Sequence, residues 1–412
     1  MNVYSPGGSE EVIKEDVSNC DTREAKITST DDSSSDTIEA ESSSTNDWFS
    51  FLSVYEAILT LLDIPNGDLN ARVVPGENLG EFLPRGRVLQ LTDGDIQINY
   101  RSPLGSGAFC KVYPVHLKHP QTHEFTLGPV ALKTLKVALA TGNKTDATVA
   151  IADLRREAEI LGDLAHSNII ELYGVSDKNK VEDTATFIVM DMLKDTLESR
   201  LENWSNSKGM FHKFTPAGVV TARLREVALG IVQGMEYLHS KNILFRDLKP
   251  DNVGFDSKGN VRLFDFGLAL KLPSPESRCR GIAGTVRYMA PECGDGGFYG
   301  FPADVYSFAI LLWQIMTAEL PFKDELSLFG ENALPKDKRP PLVLIQSKDQ
   351  HSLLELSWAT QPDDRPTFEM IHKKIQNIVE SSNVLPPPME WSVKNGPEDP
   401  ERKLWQYFIF WR

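Results

Sequence analysis

The segment from Ile243 to Phe255, ILFRDLKPDNVGF, places polar groups between apolar residues more densely than any ordinary strand or helix does. Asp247, Lys249 and Asn252 fall within six residues. Shortly afterwards the apolar run VRLF ends at Asp265. A fold of this chain must bury the apolar flanks and leave these polar groups at strand ends, so they either serve one site or lie on a solvated loop.

The residue types in these two segments suit metal-assisted transfer chemistry. Asp265 closes a predicted strand beside a flexible glycine, and with the Asn252 amide it offers the hard oxygen donors that Mg²⁺ prefers together with substrate phosphates. Asp247 is then left to accept the proton of an attacking hydroxyl. Lys249 is placed to neutralise charge on a transferred phosphoryl group. The alternative is a polar loop whose Asp, Lys and Asn carry no chemistry.

Upstream segments supply candidate phosphate ligands. The turn LGSGAFCKVY contains Gly105 and Gly107, which let backbone N–H groups approach a phosphate, although a plain hairpin uses the same residues. Lys133 ends the apolar run VALK, so its ammonium group either reaches solvent or has a buried anionic partner. Glu157 lies on the apolar face of a predicted helix and is the candidate partner.

Taken in this order, the motifs resemble the eukaryotic protein kinase family over about residues 96–379. The resemblance rests on the glycine-rich turn, the strand lysine, the helix glutamate, RDLKPDN, DFG and APE. DLKPDN and GTVRYMAPE are typical of the Ser/Thr type in the tyrosine-kinase-like group. The resemblance implies an α+β, two-lobed fold, with a small β-rich N-lobe carrying one helix and a larger, mainly helical C-lobe.

The resemblance also implies the cofactors and the site. ATP and Mg²⁺ are the expected cofactors, with Asp247, Lys249 and Asn252 catalytic and with Asn252 and Asp265 holding the metal. Thr285 is expected to hydrogen-bond to Asp247 and Lys249. The nucleotide is expected to contact Leu104, Gly105, Ser106, Gly107, Val112, Ala131, Lys133, Glu157, Met190, Asp191 and Leu193.

Three structural roles follow from the same resemblance. Asp304 is expected to anchor the backbone of the catalytic loop from a central helix. Glu292 and Arg365 are expected to form an ion pair that holds the substrate-binding segment. Phe245 stands where the family usually has histidine, and it is expected to pack in an apolar stack. The expected partners in that stack are Phe266, Leu161 and Leu172.

Two further departures bear on activity. Cys110 replaces the third glycine of the turn, where a redox or alkylation switch would require a thiol of lowered pKa. Gly254 replaces the aliphatic residue that usually lies under the adenine, which predicts more room and fewer contacts there. The alternative function is a pseudokinase that binds nucleotide or acts as a scaffold, supported by Cys110 and Phe245. A kinase of small molecules is a third alternative, which GTVRYMAPE disfavours.

The expected partners are protein substrates and an upstream kinase. The upstream kinase would act on the activation loop, where a phosphate on Ser274 or Ser277 would order the loop through Arg246. Net charge is -15, and no basic stripe indicates nucleic-acid binding. Four widely spaced cysteines and an acidic, polar start predict a cytoplasmic protein without a signal peptide.

The flanking regions differ in composition from the predicted kinase domain. Residues 1–47 are acidic and rich in Ser and Thr, which predicts disorder. Residues 48–95 are predicted to form a short amphipathic helix, Trp48 to Leu62, and a connector, and the apolar part is too short to span a membrane. This helix is expected to pack on the main domain, with a membrane-surface helix as the alternative. Residues 380–412 are predicted to be a Pro-rich extension with an aromatic end, LWQYFIFWR. This end is expected to fold back onto the domain, with a partner-docking peptide or a membrane contact as alternatives.

Overall fold

The computed structural model describes most of the predicted kinase domain, namely residues 88–101, 103–106, 110–118, 125–135, 144–177, 186–207, 215–323 and 337–382. The predicted acidic tail, the predicted helix at Trp48 to Leu62 and the aromatic end all lie outside these residues. Their assignments, and the domain boundaries drawn from them, stay predictions.

Within the described residues, seven strands form one sheet in the smaller part of the fold. The strand order is β1-β6-β7-β5-β4-β2, with β3 paired to β4 and with all neighbours antiparallel except β1 and β6. The strands are β1 (Leu89–Leu91), β2 (Ile96–Ile98), β3 (Gly105–Ser106), β4 (Cys110–Lys118), β5 (Phe125–Leu135), β6 (Leu172–Ser176) and β7 (Phe187–Met190). This register sets Lys133 opposite Val112 on one side and Ile188 on the other.

One long helix, α1 (Lys144–Gly162), packs against this sheet. Leu154 and Leu161 are each 2 % exposed, as the predicted apolar face requires. Glu157 lies on the same face and is also 2 % exposed, because it is one helical turn from each leucine. The helix therefore carries a carboxylate into an apolar interior, where a charge needs a partner.

Helices dominate the larger part of the fold. They are α2 (Leu197–Ser207), α3 (Ala217–Arg223), α4 (Leu229–Ser240), α5 (Pro291–Gly294), α6 (Phe301–Thr317), α7 (Lys348–Ser357) and α8 (Phe368–Ser381). A π-helical segment, Leu224–Ala228, joins α3 to α4. Helix α6 is buried on all sides because its sequence is apolar nearly throughout, and it forms the centre of this lobe. Helix α8 is amphipathic and packs its isoleucines against α4.

Short strand pairs hold the loops between these helices. They are β8 (Asp195–Thr196), β9 (Ile243–Leu244), β10 (Val253–Phe255), β11 (Val261–Leu263), β12 (Leu270–Lys271), β13 (Cys279–Arg280) and β14 (Phe298–Tyr299). Strand β10 pairs with β8 and β11, and β9 pairs with β12. These pairings bring the predicted catalytic loop beside Asp265, and the expected two-lobed α+β fold is confirmed. Among the described residues, none of the helices is both long and apolar enough to cross a membrane.

Candidate active site

The loop after β9 is fixed from below by a buried carboxylate on α6. Asp304 is 1 % exposed, and it accepts hydrogen bonds from the backbone N–H groups of Phe245 (2.9 Å) and Arg246 (2.8 Å). Arg246 has a φ of 70°, a backbone conformation that a residue with a side chain keeps only when its surroundings impose it. The anchoring role predicted for Asp304 is confirmed.

Asp247 lies at the centre of a buried cluster of polar side chains. Its Oδ1 accepts a hydrogen bond of 2.7 Å from the Thr285 hydroxyl. Its Oδ2 lies 3.0 Å from the Asn252 amide nitrogen and 3.0 Å from Nζ of Lys249. Lys249 also donates to the Thr285 hydroxyl at 2.9 Å. Asp247, Lys249 and Asn252 are between 3 % and 5 % exposed, so the alternative of a solvated loop is wrong.

Lys133 joins the two lobes through two carboxylates. Its Nζ lies 2.7 Å from Oε2 of Glu157 and 3.0 Å from Oδ1 of Asp265. The other oxygen of Glu157 accepts from the backbone N–H of Phe266 at 3.3 Å. The anionic partner predicted for Lys133 is therefore present, and a second one comes from the DFG segment.

These three groups perturb one another's ionisation. Burial acts to raise the pKa of Asp265, but the Lys133 ammonium outweighs it, so this pKa lies below its ordinary value. Burial acts to lower the pKa of Lys133, but Asp265 and Glu157 outweigh it and raise this pKa. For Glu157, burial wins over the ammonium, and the pKa of its carboxyl is raised. Asp265 is thus held as a carboxylate beside a permanent cation.

The donor set fits Mg²⁺ bound together with substrate phosphates. The Asn252 amide nitrogen donates hydrogen bonds to the side chain and to the backbone carbonyl of Asp247. The amide oxygen of Asn252 therefore faces away from Asp247. Asp265 offers carboxylate oxygens from a left-handed backbone position, with a φ of 61°. No group of three or more His, Cys, Asp or Glu residues that could hold a metal occurs in the described ranges. Mg²⁺ usually takes one or two protein carboxylates and completes its shell with phosphates and water, so the match is chemically consistent.

The glycine-rich turn is formed only in part by described residues. Leu104 donates its backbone N–H to the carbonyl of Val112 at 2.7 Å, and Gly105 and Ser106 pair with β4. Gly107 lies outside the described residues. Ala131 on β5 stands opposite Met190 on β7, next to the Lys133 position. These predicted nucleotide contacts lie on β3, on the residue before it and on the neighbouring strands β5 and β7, and their roles stay predictions.

Comparison with known proteins decides the family. A family model described as the protein kinase domain matches residues 98–375, more than half of the 412 residues. The chain belongs to the protein kinase family. Predicted membership in this family is confirmed, and the described lobes are those of a kinase domain.

Three relatives illustrate what this kinase domain is similar to. A probable serine/threonine-protein kinase of Dictyostelium discoideum is 30% identical over 60% of this chain and 17% of its own length. Mitogen-activated protein kinase kinase kinase 7 of Drosophila melanogaster is 29% identical over 59% of this chain and 34% of its own length. Serine/threonine/tyrosine-protein kinase HT1 of Arabidopsis thaliana is 31% identical over 53% of this chain and 52% of its own length. The chain thus spans at most about half of these relatives, whose names are consistent with the predicted Ser/Thr and tyrosine-kinase-like type.

The hinge between the lobes of this kinase domain has an anchor that sequence reasoning missed. Asp191 follows β7, and its Oδ1 accepts a hydrogen bond of 2.6 Å from the Tyr173 hydroxyl. Its Oδ2 accepts from the backbone N–H of Glu171 at 3.1 Å, and its own N–H donates to the Glu171 carbonyl at 3.1 Å. Three hydrogen bonds therefore tie the first hinge residue to Tyr173 of β6 and to Glu171, the residue before this strand. The spacing of Glu171 and Tyr173 in the sequence does not indicate a contact with Asp191, because this contact joins two separate segments of the chain.

The structure corrects the expectation for Gly254. A Cβ atom added there would overlap Cδ1 of Leu193 and lie 3.2 Å from Cε1 of Phe264. The prediction of more room is wrong, because these two side chains fill the space that a larger residue would take. Phe264 was not among the predicted site residues.

The packing expectation for Phe245 is confirmed. Its ring meets the ring of Phe266 edge to face, with the centroids 5.1 Å apart, and both residues are essentially fully buried. Leu161 and Leu172 belong to the same apolar cluster. Phe245 therefore contributes apolar packing, as predicted.

The thiol of Cys110 does not meet the condition set for a reactive cysteine. Burial raises its pKa to about 11, and the nearby Lys133 ammonium only partly offsets this. A reactive cysteine needs a pKa below its ordinary value. The hypothesis of a redox or alkylation switch at Cys110 is therefore not supported.

The segment that follows DFG is held against the C-lobe at two points. Arg365 forms a bidentate pair with Glu292, at 2.6 and 3.0 Å, as predicted. Gly284 has a φ of 106° and lies so close to the carbonyl of Arg246 that a Cβ atom would overlap it. A side chain at position 284 would therefore push this segment off the catalytic loop.

Proposed function

We propose that this kinase transfers the γ-phosphoryl group of ATP to Ser and Thr hydroxyls of protein substrates, with Mg²⁺ as its metal. The observation that carries the proposal is the contact of Lys133 with both Glu157 and Asp265. This contact joins the strand, the helix and the DFG segment. It supports a role for the Lys133 ammonium as the cation that holds phosphate oxygens of ATP. The same arrangement is expected of a kinase domain assembled for transfer.

The residues of the C-lobe supply the transfer chemistry in this proposal. Asp247 accepts the proton of the attacking hydroxyl, and its carboxylate is held in place by Thr285 and Asn252. Lys249 neutralises negative charge on the phosphoryl group during its transfer. Asp265 and Asn252 would hold Mg²⁺, which supplies charge neutralisation on the nucleotide phosphates. Most of the rate enhancement then comes from positioning and electrostatics.

The proposed acceptors are Ser and Thr hydroxyls. Thr285 contacts both Asp247 and Lys249, as expected of the Ser/Thr type. The Arabidopsis relative is named a serine/threonine/tyrosine-protein kinase, so tyrosine acceptors belong in any substrate test. Protein substrates, an upstream kinase acting at Ser274 or Ser277, no nucleic-acid partner and a cytoplasmic location are also proposed. Cys110, Cys279 and Cys293 are free thiols, which supports a reducing compartment.

Phe245 and Cys110, the two residues that suggested a pseudokinase, do not support that alternative. Phe245 packs against Phe266, and Cys110 lies on β4 without displacing the Lys133 contacts. Neither residue alters a group with a proposed chemical role.

A degenerate peptide library tests the proposal. The purified full chain is incubated with labelled ATP, Mg²⁺ and peptides that carry Ser, Thr or Tyr at a fixed position. We expect transfer to Ser and Thr, and loss of transfer in Asp247→Asn, the matched control. Nucleotide binding without transfer to any peptide or protein acceptor would favour the pseudokinase reading instead.

A further inference from the structure

Strand β1 extends the sheet beside β6, and it precedes the part of the chain that the kinase family model matches. Its three residues, Leu89–Leu91, pair in parallel with Gly174, Val175 and Ser176. The carbonyl of Leu91 also accepts a hydrogen bond of 2.8 Å from the backbone N–H of Asp177. The family match begins at residue 98, so this strand is a feature of the chain that the match does not include.

Leu91 fixes β1 to the sheet. It is 6 % exposed and belongs to an apolar cluster that includes Tyr173 and Phe187 of the neighbouring strands. A Cβ atom added at Gly174 would overlap Cδ1 of Leu91 and would lie 3.2 Å from the carbonyl oxygen of Leu89. Strand β1 therefore lies closer to β6 than a side chain at position 174 would allow.

Val88, the residue before β1, contacts the end of helix α1. Side chains alternate along an extended chain, so Val88 lies on the opposite face of the sheet from Leu89 and Leu91. Cγ2 of Val88 is 3.6 Å from the position that a Cβ atom of Gly162, the last residue of α1, would take. Val88 also packs against the apolar cluster that contains Leu154 of the same helix.

A groove lies between β1 and the middle of α1. Its volume is about 380 Å³, and its lining includes Val88 and Gln90 together with Leu154 and Ala158 of the helix. The contact of Val88 with the last turn is therefore the place where this segment supports α1.

The supported helix carries Glu157. Gly162 follows Glu157 by five residues, which is about 7.5 Å along a helix axis. Oε2 of Glu157 lies 2.7 Å from Nζ of Lys133, which stands on β5 of the sheet that β1 extends. A helix that packs on a sheet through apolar side chains can slide, because such contacts are not directional. A fixed contact at one end of the helix limits this movement.

We propose that Val88 is a positioning residue for phosphoryl transfer: it holds the last turn of α1 at the distance from the sheet at which Glu157 meets Lys133. The proposal rests on the proposed function, because it assumes that Lys133 holds phosphate oxygens of ATP. Val88 acts only through α1, so its effect on the reaction requires the Glu157 carboxylate.

Substitutions of Val88 in the full chain test the contact, with the rate of phosphoryl transfer measured in single turnovers at saturating ATP and peptide. Val88→Ala removes two methyl groups and lets α1 shift, so we expect the rate to fall about fivefold. Val88→Ile keeps the branched side chain and should stay within about twofold of the wild type. The matched control is Ile98→Ala, which truncates a partly buried residue at the opposite edge of the sheet and should also stay within about twofold.

A Glu157→Gln background separates positioning from a general effect on folding. This substitution removes the carboxylate that Val88 is proposed to position, so Val88→Ala should change the remaining rate by less than about twofold. A purely structural effect would reduce the folded fraction in both backgrounds and lower the rate about fivefold in each. Thermal unfolding of every variant reports the folded fraction.

Amide hydrogen exchange provides a readout that needs no transfer activity. The amides of α1 should exchange faster in Val88→Ala than in the wild type or in Val88→Ile. The amides of α6, at the centre of the other lobe, should exchange as in the wild type.

Three results would overturn the positioning role. They are an equal loss of rate in the two backgrounds, a wild-type rate in Val88→Ala, and unchanged exchange of α1 in Val88→Ala. A folded wild type that transfers phosphate to no acceptor overturns the proposed function itself. Failure of the Val88 inference alone leaves wild-type transfer intact, so the two failures are distinguishable.

Discussion

The Thr285 hydroxyl donates a hydrogen bond of 2.7 Å to Oδ1 of Asp247. The same hydroxyl accepts one of 2.9 Å from Nζ of Lys249. Thr285 thus connects the segment before APE to the proposed base and to the proposed charge-neutralising lysine. A segment that moved away would leave Asp247 without one of its donors, so the position of this segment and the orientation of the base are linked.

Replacement of Thr285 tests this link. Thr285→Ala should lower kcat by about tenfold to a hundredfold with little change in KM for ATP, because it removes a hydrogen bond to a charged group that orients the base. Thr285→Ser keeps the hydroxyl and should retain most of the activity. Steady-state kinetics with a peptide substrate provides both constants, and equal kcat values for the alanine and serine variants would contradict the role.

The proposed base and the proposed metal ligand should fail in different ways. Asp247→Asn should bind Mg·ATP as the wild type does and lose most phosphoryl transfer. Asp265→Asn should also weaken nucleotide binding, and only when Mg²⁺ is present. Titration of nucleotide with and without Mg²⁺, alongside the transfer assay, separates the two. Full activity in either variant would refute its assigned role.

The Tyr173 hydroxyl should matter for ATP affinity more than for the transfer step. Tyr173→Phe removes one of the three hydrogen bonds that hold Asp191 and so loosens the hinge. We therefore expect KM for ATP to rise about threefold and stability to fall by about 1 kcal/mol. The matched control is Tyr237→Phe, which removes the hydroxyl that accepts a hydrogen bond from the backbone N–H of Ala165. An increase of KM in the control as large as that in Tyr173→Phe would mean that the effect is not specific to the hinge.

Loss of one partner of the Glu292–Arg365 pair should be strongly destabilising. The Arg365 side chain is 0% exposed and also donates to the carbonyls of Ala359 and Pro302. Arg365→Ala leaves the Glu292 carboxylate without its partner, and we expect a loss of about 3–5 kcal/mol in the free energy of unfolding. Chemical denaturation measures it, and a loss below about 1 kcal/mol would contradict the predicted structural role.

The Cys110 thiol should be slow to alkylate at neutral pH. Its pKa rises from 9.0 to about 11, so at neutral pH the reactive thiolate is about a hundredfold scarcer than in an unperturbed cysteine. The labelling rate with iodoacetamide should rise about tenfold per pH unit and level off near pH 11. Mass spectrometry of the peptide that contains Cys110 follows the rate, with the urea-unfolded protein as the reference. Labelling at neutral pH as fast in the folded as in the unfolded protein would show that the pKa is not raised.

Local pattern was enough to predict much of this fold. The helix that carries Glu157, Lys144–Gly162, follows from the spacing of its apolar residues, because this pattern lies within one segment of the chain. The residue types of the catalytic loop suit phosphoryl transfer, but on their own they left open a polar loop without chemistry, and the family resemblance favoured the site. The contact of Asp304 with this loop came from family resemblance and not from spacing.

What only the tertiary structure decided depends on side chains that meet from distant segments. The sequence by itself determined that position 254 is a glycine, and from that alone more space was expected. The fold brings Leu193 and Phe264 over it and fills that space. In the same way, the sequence determined a cysteine at 110, but only its burial in the folded chain raised the pKa of its thiol. Packing direction and desolvation are set by neighbours in space, so one-dimensional spacing contains neither.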